Sequence, residues 1–252
     1  MLQVDRWLRR RRKIFYGLYR TYLKRQTDNY NPEGWYDDHY ATGISDRQTI
    51  EPNTNPITAA YHYASIELII ARELYNNAFT LEGRNVFDIG SGAGHWLKFY
   101  HSLGAKEVTG IDVSEISVDF IKSTYSGNGI SIFQGLFQDH LEMANHQYDL
   151  INAIGVMFHV VDDAEWERGL TAIANSLKEG GFFIVGGHFG LFNNVNVQYD
   201  RENLAYKRLR SKRQWQKQLT SMDFKTVKVH YNPAYLFIKD YVPENNVLIA
   251  RK

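Results

Sequence analysis

The sequence predicts an α/β fold: a mostly parallel sheet with helices on both faces. Three observations predict it. Short apolar runs alternate with segments of helical period five times between residues 86 and 185. A glycine-rich loop, Gly90-Ser91-Gly92-Ala93-Gly94, joins the first apolar run to the helix behind it. The second run ends in an acid, Asp112.

Each element is justified in turn. Residues 4–25 place Val4, Trp7, Leu8, Ile14, Phe15, Leu18, Tyr22 and Leu23 on the apolar side of an amphipathic helix, with a basic face through Arg9–Lys13. Residues 26–60 are polar and turn-rich, with Asn31-Pro32, Gly34, Gly43, Pro52-Asn53 and Asn55-Pro56, and read as a loop. Ala60, Tyr63, Ile66, Ile69, Ile70 and Leu74 space a buried helical face over 58–75. Then follow strand 86–89, helix 95–103 stopped by Gly104, strand 107–112, helix 115–124 capped by Ser114, and strand 130–134. Strand 150–153, helix 163–177 and strand 182–185 complete the alternation, with right-handed crossovers. A basic stretch, 201–219, reads as helix ahead of two late strands, 226–231 and 247–250. The chain divides into residues 1–82 (basic helix, loop and cap helix) and 83–252 (the α/β domain).

Composition narrows the chemistry. Apolar residues make up 44% of the 252, enough for a sizeable core, and there is no cysteine. Disulfides, cysteine zinc sites and thiol nucleophiles are thereby excluded. The net charge is +1, but residues 1–25 hold nine Lys/Arg against Asp5, leaving the remainder at about −7. The basic arm has two readings, a helix packed on the body and a contact for RNA or an anionic membrane. No apolar run has the length of a membrane span and the N-terminus lacks a signal-peptide core, so a cytoplasmic location is expected.

Ligands of open parallel sheets bind beyond the carboxyl ends of the strands. That rule selects Asp88, Gly90, Ser91, Gly92 and Gly94 after the first strand, Asp112 and Val113 after the second, and Leu136 and Phe137 after the third. A helix N-terminus behind a glycine loop favours a nucleotide-like ligand, and Asp112 suits ribose hydroxyls. The glycine spacing, G-x-G-x-G, is one residue shorter than the dinucleotide fingerprint. Asp88 is costly to bury alone, so partners are expected among loop N–H groups or a ligand amine.

At these residues the chain resembles the class I S-adenosylmethionine-dependent methyltransferases of small-molecule type. Val86-Phe87-Asp88-Ile89-Gly90-Ser91-Gly92-Ala93-Gly94-His95-Trp96 is similar to the family's first motif, and Val108–Ser114 to its second. The resemblance implies a Rossmann-like seven-stranded sheet, mostly parallel, with an antiparallel terminal strand and an N-terminal helical cap or lid. It implies S-adenosylmethionine as cofactor, held by Asp88, Gly90, Ser91, Gly92, Gly94, Asp112, Val113, Leu136, Phe137, Ile154 and Tyr40. Many relatives carry an acid where Leu136 stands, so recognition of adenine falls to backbone or to Gln138 or Asp139. The cluster Gly34-Trp35-Tyr36-Asp37-Asp38-His39-Tyr40 resembles a lid segment, with Trp35 and Tyr36 over the substrate.

Ile154–Val160 resembles the family segment that follows the fourth strand and places His159 at the sheet mouth; His188 follows the fifth. Either histidine is a candidate base. Each has the alternative reading of hydrogen-bonding the backbone to orient its loop. The Asn-Pro-Pro-aromatic motif of amino-methylating nucleic-acid enzymes is missing after Asn152, and no metal-ligand spacing stands out. The expected partner is a small-molecule methyl acceptor, by in-line displacement, without a metal and with a homodimer as an open possibility. The alternatives are an RNA or protein methyltransferase using the basic arm and Lys207–Lys217, and a non-catalytic cofactor-binding scaffold.

Overall fold

A computed structural model describes residues 31–50, 55–125, 127–144, 146–190, 192–198, 206–231 and 245–252. The basic helix expected at 4–25, the Pro52-Asn53 turn and the start of the 201–219 stretch lie outside the described residues. Helix α1 (Pro32–Tyr40) and helix α2 (Pro56–Asn76) come first. Then β1 (Asn85–Ile89), α3 (His95–Ser102), β2 (Glu107–Asp112), α4 (Glu115–Tyr125), β3 (Ile130–Gln134) and α5 (Phe137–Met143) alternate. They are followed by β4 (Tyr148–Ile154), a 3-10 turn (Met157–His159), α6 (Asp163–Ser176) and β5 (Leu177–His188). The tail holds β6 (Val195–Gln198), β7 (Tyr206–Leu209), α7 (Lys212–Thr220), β8 (Thr226–His230) and β9 (Asn245–Arg251).

Seven strands form one sheet in the order β3-β2-β1-β4-β5-β9-β8. The first five are mutually parallel, and β9 runs antiparallel to both β5 and β8. This is the Rossmann-like seven-stranded sheet. Strand order reverses between β1 and β4, so the crevice beyond their carboxyl ends is where such sheets take ligands. Strand alternation divides the core into two layers. Val86, Leu150 and Phe182 face α2, α3 and α4, while Phe87, Ile151 and Phe183 face α5, α6 and α7. Among the described residues no helix is long and apolar enough to cross a membrane.

The structure corrects three local expectations. Residues 32–40 are helix rather than loop. Asn31 caps the helix by accepting from Gly34 N at 3.4 Å, and Pro32 occupies its first turn. Helix α5 was not anticipated, being only seven residues long with no readable period. The basic stretch expected as helix to 219 is instead β7 followed by α7, with β7 paired antiparallel to β6. The reason is side-chain period: Arg208 and Arg210 both bond Asp163, which an extended chain permits and a helix would set about 200° apart.

Candidate functional site

The glycine loop leaves β1 and is tied down from every side. Gly90 N and Ser91 N donate to Ile111 O at 2.8 and 3.2 Å, and Gly94 N donates to Ser91 O at 2.8 Å. Gly92 N donates to Asp112 Oδ2 at 2.8 Å, and Ser117 Oγ donates to Gly92 O at 2.6 Å. These four N–H groups are therefore turned inward rather than offered to a pyrophosphate, which removes the donors a dinucleotide loop relies on. At Gly92, with φ at 52°, an added Cβ would lie 2.7 Å from Thr49 Cγ2. The N-terminal segment thus lies directly on the loop.

Asp112 is buried at the end of β2, and its other oxygen accepts from Ser114 N at 3.0 Å. Each carboxylate oxygen retains a second acceptor site, so the side chain can still take a pair of hydroxyls. Burial raises its pKa, against the pull of those N–H groups. Tyr40 is buried close by, its hydroxyl pKa raised well above the usual value by burial and then by the Asp112 charge.

Asp88, at the end of β1, is 0% exposed. Its expected loop N–H partners go elsewhere. One oxygen accepts from Asn152 Nδ2 at 2.7 Å, and Tyr100 Oη donates to Asn152 Oδ1 at 2.9 Å. Register explains the pairing, because Asp88 and Asn152 stand opposite one another in β1 and β4. The second oxygen, Oδ2, is buried with no hydrogen-bond partner. Burial pushes the pKa of Asp88 up to about 7. Asn152 and Tyr100 are site residues that the sequence did not disclose; the only signal was an amide at the level of Asp88 in a neighbouring strand.

The carboxyl end of β3 holds fewer of the expected contacts. Leu136 is 46% exposed. Phe137 turns into the core, where a Cβ on Gly169 would come within 2.6 Å of its ring, so its side chain is not at the crevice. Gln138 is buried beside it, and Asp139 bonds Arg168 Nη2 at 2.6 Å on the outer face of α5. Neither is at the crevice. Gln134 Nε2 reaches Val113 O at 3.4 Å.

Helix α1 lies across the sheet mouth. Ser114 Oγ donates to Asp37 Oδ1 at 2.6 Å, joining α1 to the start of α4. The Tyr36 hydroxyl and His159 Nε2 share a hydrogen bond of 2.6 Å, with the two rings edge-on. Trp35 stacks on His39, and His39 Nε2 donates to Gln48 O at 3.0 Å. Behind the loop, His95 lies with Nδ1 3.0 Å from Asp46 Oδ2 and Nε2 2.7 Å from Glu67 Oε1 while stacked on Tyr63. It therefore links the segment after α1 to α2. Ile154 is buried at the end of β4 against Gly186.

His188, at the end of β5, stands apart from His159; the Phe158 ring packs on both imidazoles. Burial and then the Lys207 charge drive the His188 pKa well below the usual value, so the ring is neutral. Among the described residues no group of three or more histidines or carboxylates is placed to hold a metal ion.

A methyltransferase-domain family matches residues 86–181. The solved structure of 1,6-didemethyltoxoflavin-N1-methyltransferase from Burkholderia thailandensis, with S-adenosylhomocysteine bound, is similar with a TM-score of 0.63 and 16% identity. It covers 90% of this chain and 93% of that one. Magnesium protoporphyrin IX methyltransferase from Synechocystis, with S-adenosylmethionine bound, gives 0.61 at 15% identity, over 90% of this chain and 100% of that one. Ribosomal protein L11 methyltransferase of Staphylococcus aureus is 24% identical over 110 residues, 43% of this chain. The match spans a third of that relative's length. Residues 86–181 thus match a methyltransferase-domain family, and the fold is that of the S-adenosylmethionine-dependent methyltransferases.

Proposed function

We propose that the chain transfers a methyl group from S-adenosylmethionine to oxygen or nitrogen of a small-molecule acceptor, with residues 31–50 closing as a lid. The observation that carries the cofactor site is Asp88 Oδ2, a buried carboxylate oxygen without a partner beside a glycine loop. Such an atom fits the α-ammonium of the methionine moiety. Asp112 would hold the ribose hydroxyls, Tyr40 and Val113 would border the nucleoside, and Gly90–Gly94 would let it approach the backbone. When bound, S-adenosylmethionine supplies an electrophilic methyl carbon to a lone pair placed in line with it. The remaining work is orientation and exclusion of water. Tyr36 and His159, hydrogen-bonded across the mouth, are placed to take a proton from an arriving hydroxyl or amine.

A small acceptor is favoured over RNA or protein by the fate of the basic tail. Arg208 and Arg210 turn inward onto Asp163, and Lys207 Nζ bonds His188, so half of that stretch is not an exposed footprint. Calorimetric titration with S-adenosylhomocysteine tests the cofactor site, binding being expected in wild type and lost in Asp112→Ala. Labelled methyl transfer into a fractionated cell extract tests the acceptor. Label is expected in the small-molecule fraction; label confined to protein or RNA would overturn the acceptor reading. Binding without any transfer would leave a scaffold.

A further inference from the structure

His95 opens α3 directly behind the glycine loop, and three parts of the chain meet at its ring. Nδ1 lies 3.0 Å from Asp46 Oδ2 on the segment after α1, and Nε2 lies 2.7 Å from Glu67 Oε1 on α2. Tyr63 of α2 stacks on the ring with 3.6 Å between centroids. The Tyr63 hydroxyl donates to Asp46 O at 3.2 Å and lies 2.7 Å from Thr49 Oγ1. Thr49 in turn rests on Gly92. His95 and Tyr63 thus fasten residues 46–49 to the glycine loop.

An ionised carboxylate only accepts, and a neutral imidazole has one N–H and one bare lone pair. Both contacts are hydrogen bonds at once only when both ring nitrogens carry hydrogen. In a neutral ring, one nitrogen would turn its lone pair on a carboxylate oxygen. The surrounding charges favour the second proton. Asp46 and Glu67 are anions, Lys98 Nζ stands 3.6 Å from Asp46 Oδ2, and a charged ring brings the four to balance. Asp88, on β1, also lies within the field of the ring. The helix dipole opposes a cation at the first residue of α3, so the two acids hold it there against the helix. The other neighbours do not compete for the proton. Burial and then the His95 charge bring the His62 pKa down to about 4, and burial pushes the Tyr63 hydroxyl up. Burial alone would raise the Asp46 pKa, but the His95 bond and the His95 and Lys98 charges bring it below the usual value.

We infer that His95 is a positioning residue: as the imidazolium it clasps residues 46–49 onto the glycine loop, and its deprotonation releases them. Where the opened ring is neutral, the closed arrangement holds one proton more. Closure therefore weakens as pH rises, by up to about tenfold per unit. The inference rests on the proposed lid for its effect on the cofactor, while the clasp itself is measured without it.

The test compares wild type with Glu67→Gln. A glutamine amide donates to a bare Nε2, so a neutral His95 keeps both contacts and the clasp no longer needs the second proton. Stopped-flow release of S-adenosylhomocysteine is expected to quicken at least about fivefold from pH 6 to pH 8.5 in wild type. In Glu67→Gln it is expected to stay level within about twofold. Titration of Asp88 is common to both proteins and cancels in the comparison. Hydrogen exchange of residues 41–50 without cofactor, corrected for intrinsic rates, is expected to follow the same pattern. NMR of 15N-labelled histidine, with His95 assigned from the spectrum of His95→Gln, is expected to show both ring nitrogens protonated at pH 6. A neutral His95 at pH 6, or the same pH response of exchange in the two proteins, overturns the inference. Should Glu67→Gln fail to fold, the wild-type ring state and the pH response of wild-type exchange decide. Exchange that follows the expected pattern beside a level rate of release supports the clasp and counts against the lid alone.

Discussion

Asp88 has one oxygen bonded to Asn152 and the other bare, so in the proposed cofactor site its ionisation and ligand binding would be linked. With its pKa pushed up to about 7, the native state binds a proton that the unfolded chain releases near pH 4. Between those values the native state holds more protons, so stability falls as pH rises through this window. Asp88→Asn is expected to flatten that fall, as read by urea midpoints at pH 5 and pH 7.5. The ionised form is what receives an ammonium. Affinity for S-adenosylhomocysteine is therefore expected to weaken as pH drops below 7, by up to about tenfold per unit. Calorimetry across pH 5–8 checks this, and an unchanged affinity would remove Asp88 from the amine site. Tyr100→Phe leaves Asn152 Oδ1 buried and unanswered and is expected to cost about 1–3 kcal/mol in chemical denaturation. At this scale the sequence showed the acids that end strands, because strand ends are readable. It did not show Tyr100 and Asn152, whose contribution comes from register between strands far apart in the chain.

At the scale of elements, two of the three departures from expectation shape the mouth of the sheet. Helix α1 was hidden among Pro, Gly and Asn residues that count as turn formers, although Asn31-Pro32 also reads as a cap followed by a first-turn proline. The β6–β7 hairpin was hidden because its cations resemble a helical basic face until Asp163 is seen to bind both arginines. Asp163→Ala is expected to lose about 2 kcal/mol of stability and to loosen the hairpin. The estimate stays below that for a fully buried pair because the Asp163 side chain is 40% exposed. Denaturant melts and limited proteolysis between residues 190 and 212 measure it. For α1, Tyr36→Phe is expected to reduce turnover by about a hundredfold while leaving S-adenosylhomocysteine affinity within a small factor. A parallel loss of affinity would instead make Tyr36 part of the cofactor contact.

For the molecule as a whole, the sheet was legible because parallel strands buried on both faces, such as Leu150–Ala153 and Phe182–Val185, stand out as continuous apolar runs between amphipathic helices. The mouth beside the end of β5 was not, since a 3-10 turn, a strand end and a distant hairpin meet there and share no local pattern. The contact of Thr49 with Gly92 gives the proposed lid a temporal consequence. With residues 31–50 acting as that lid, the nucleoside would pass the loop only while they stand aside, making it first in and last out. Added viscogen is expected to slow steady-state turnover more than a single burst of methylation, and product inhibition is expected to be competitive with the donor alone.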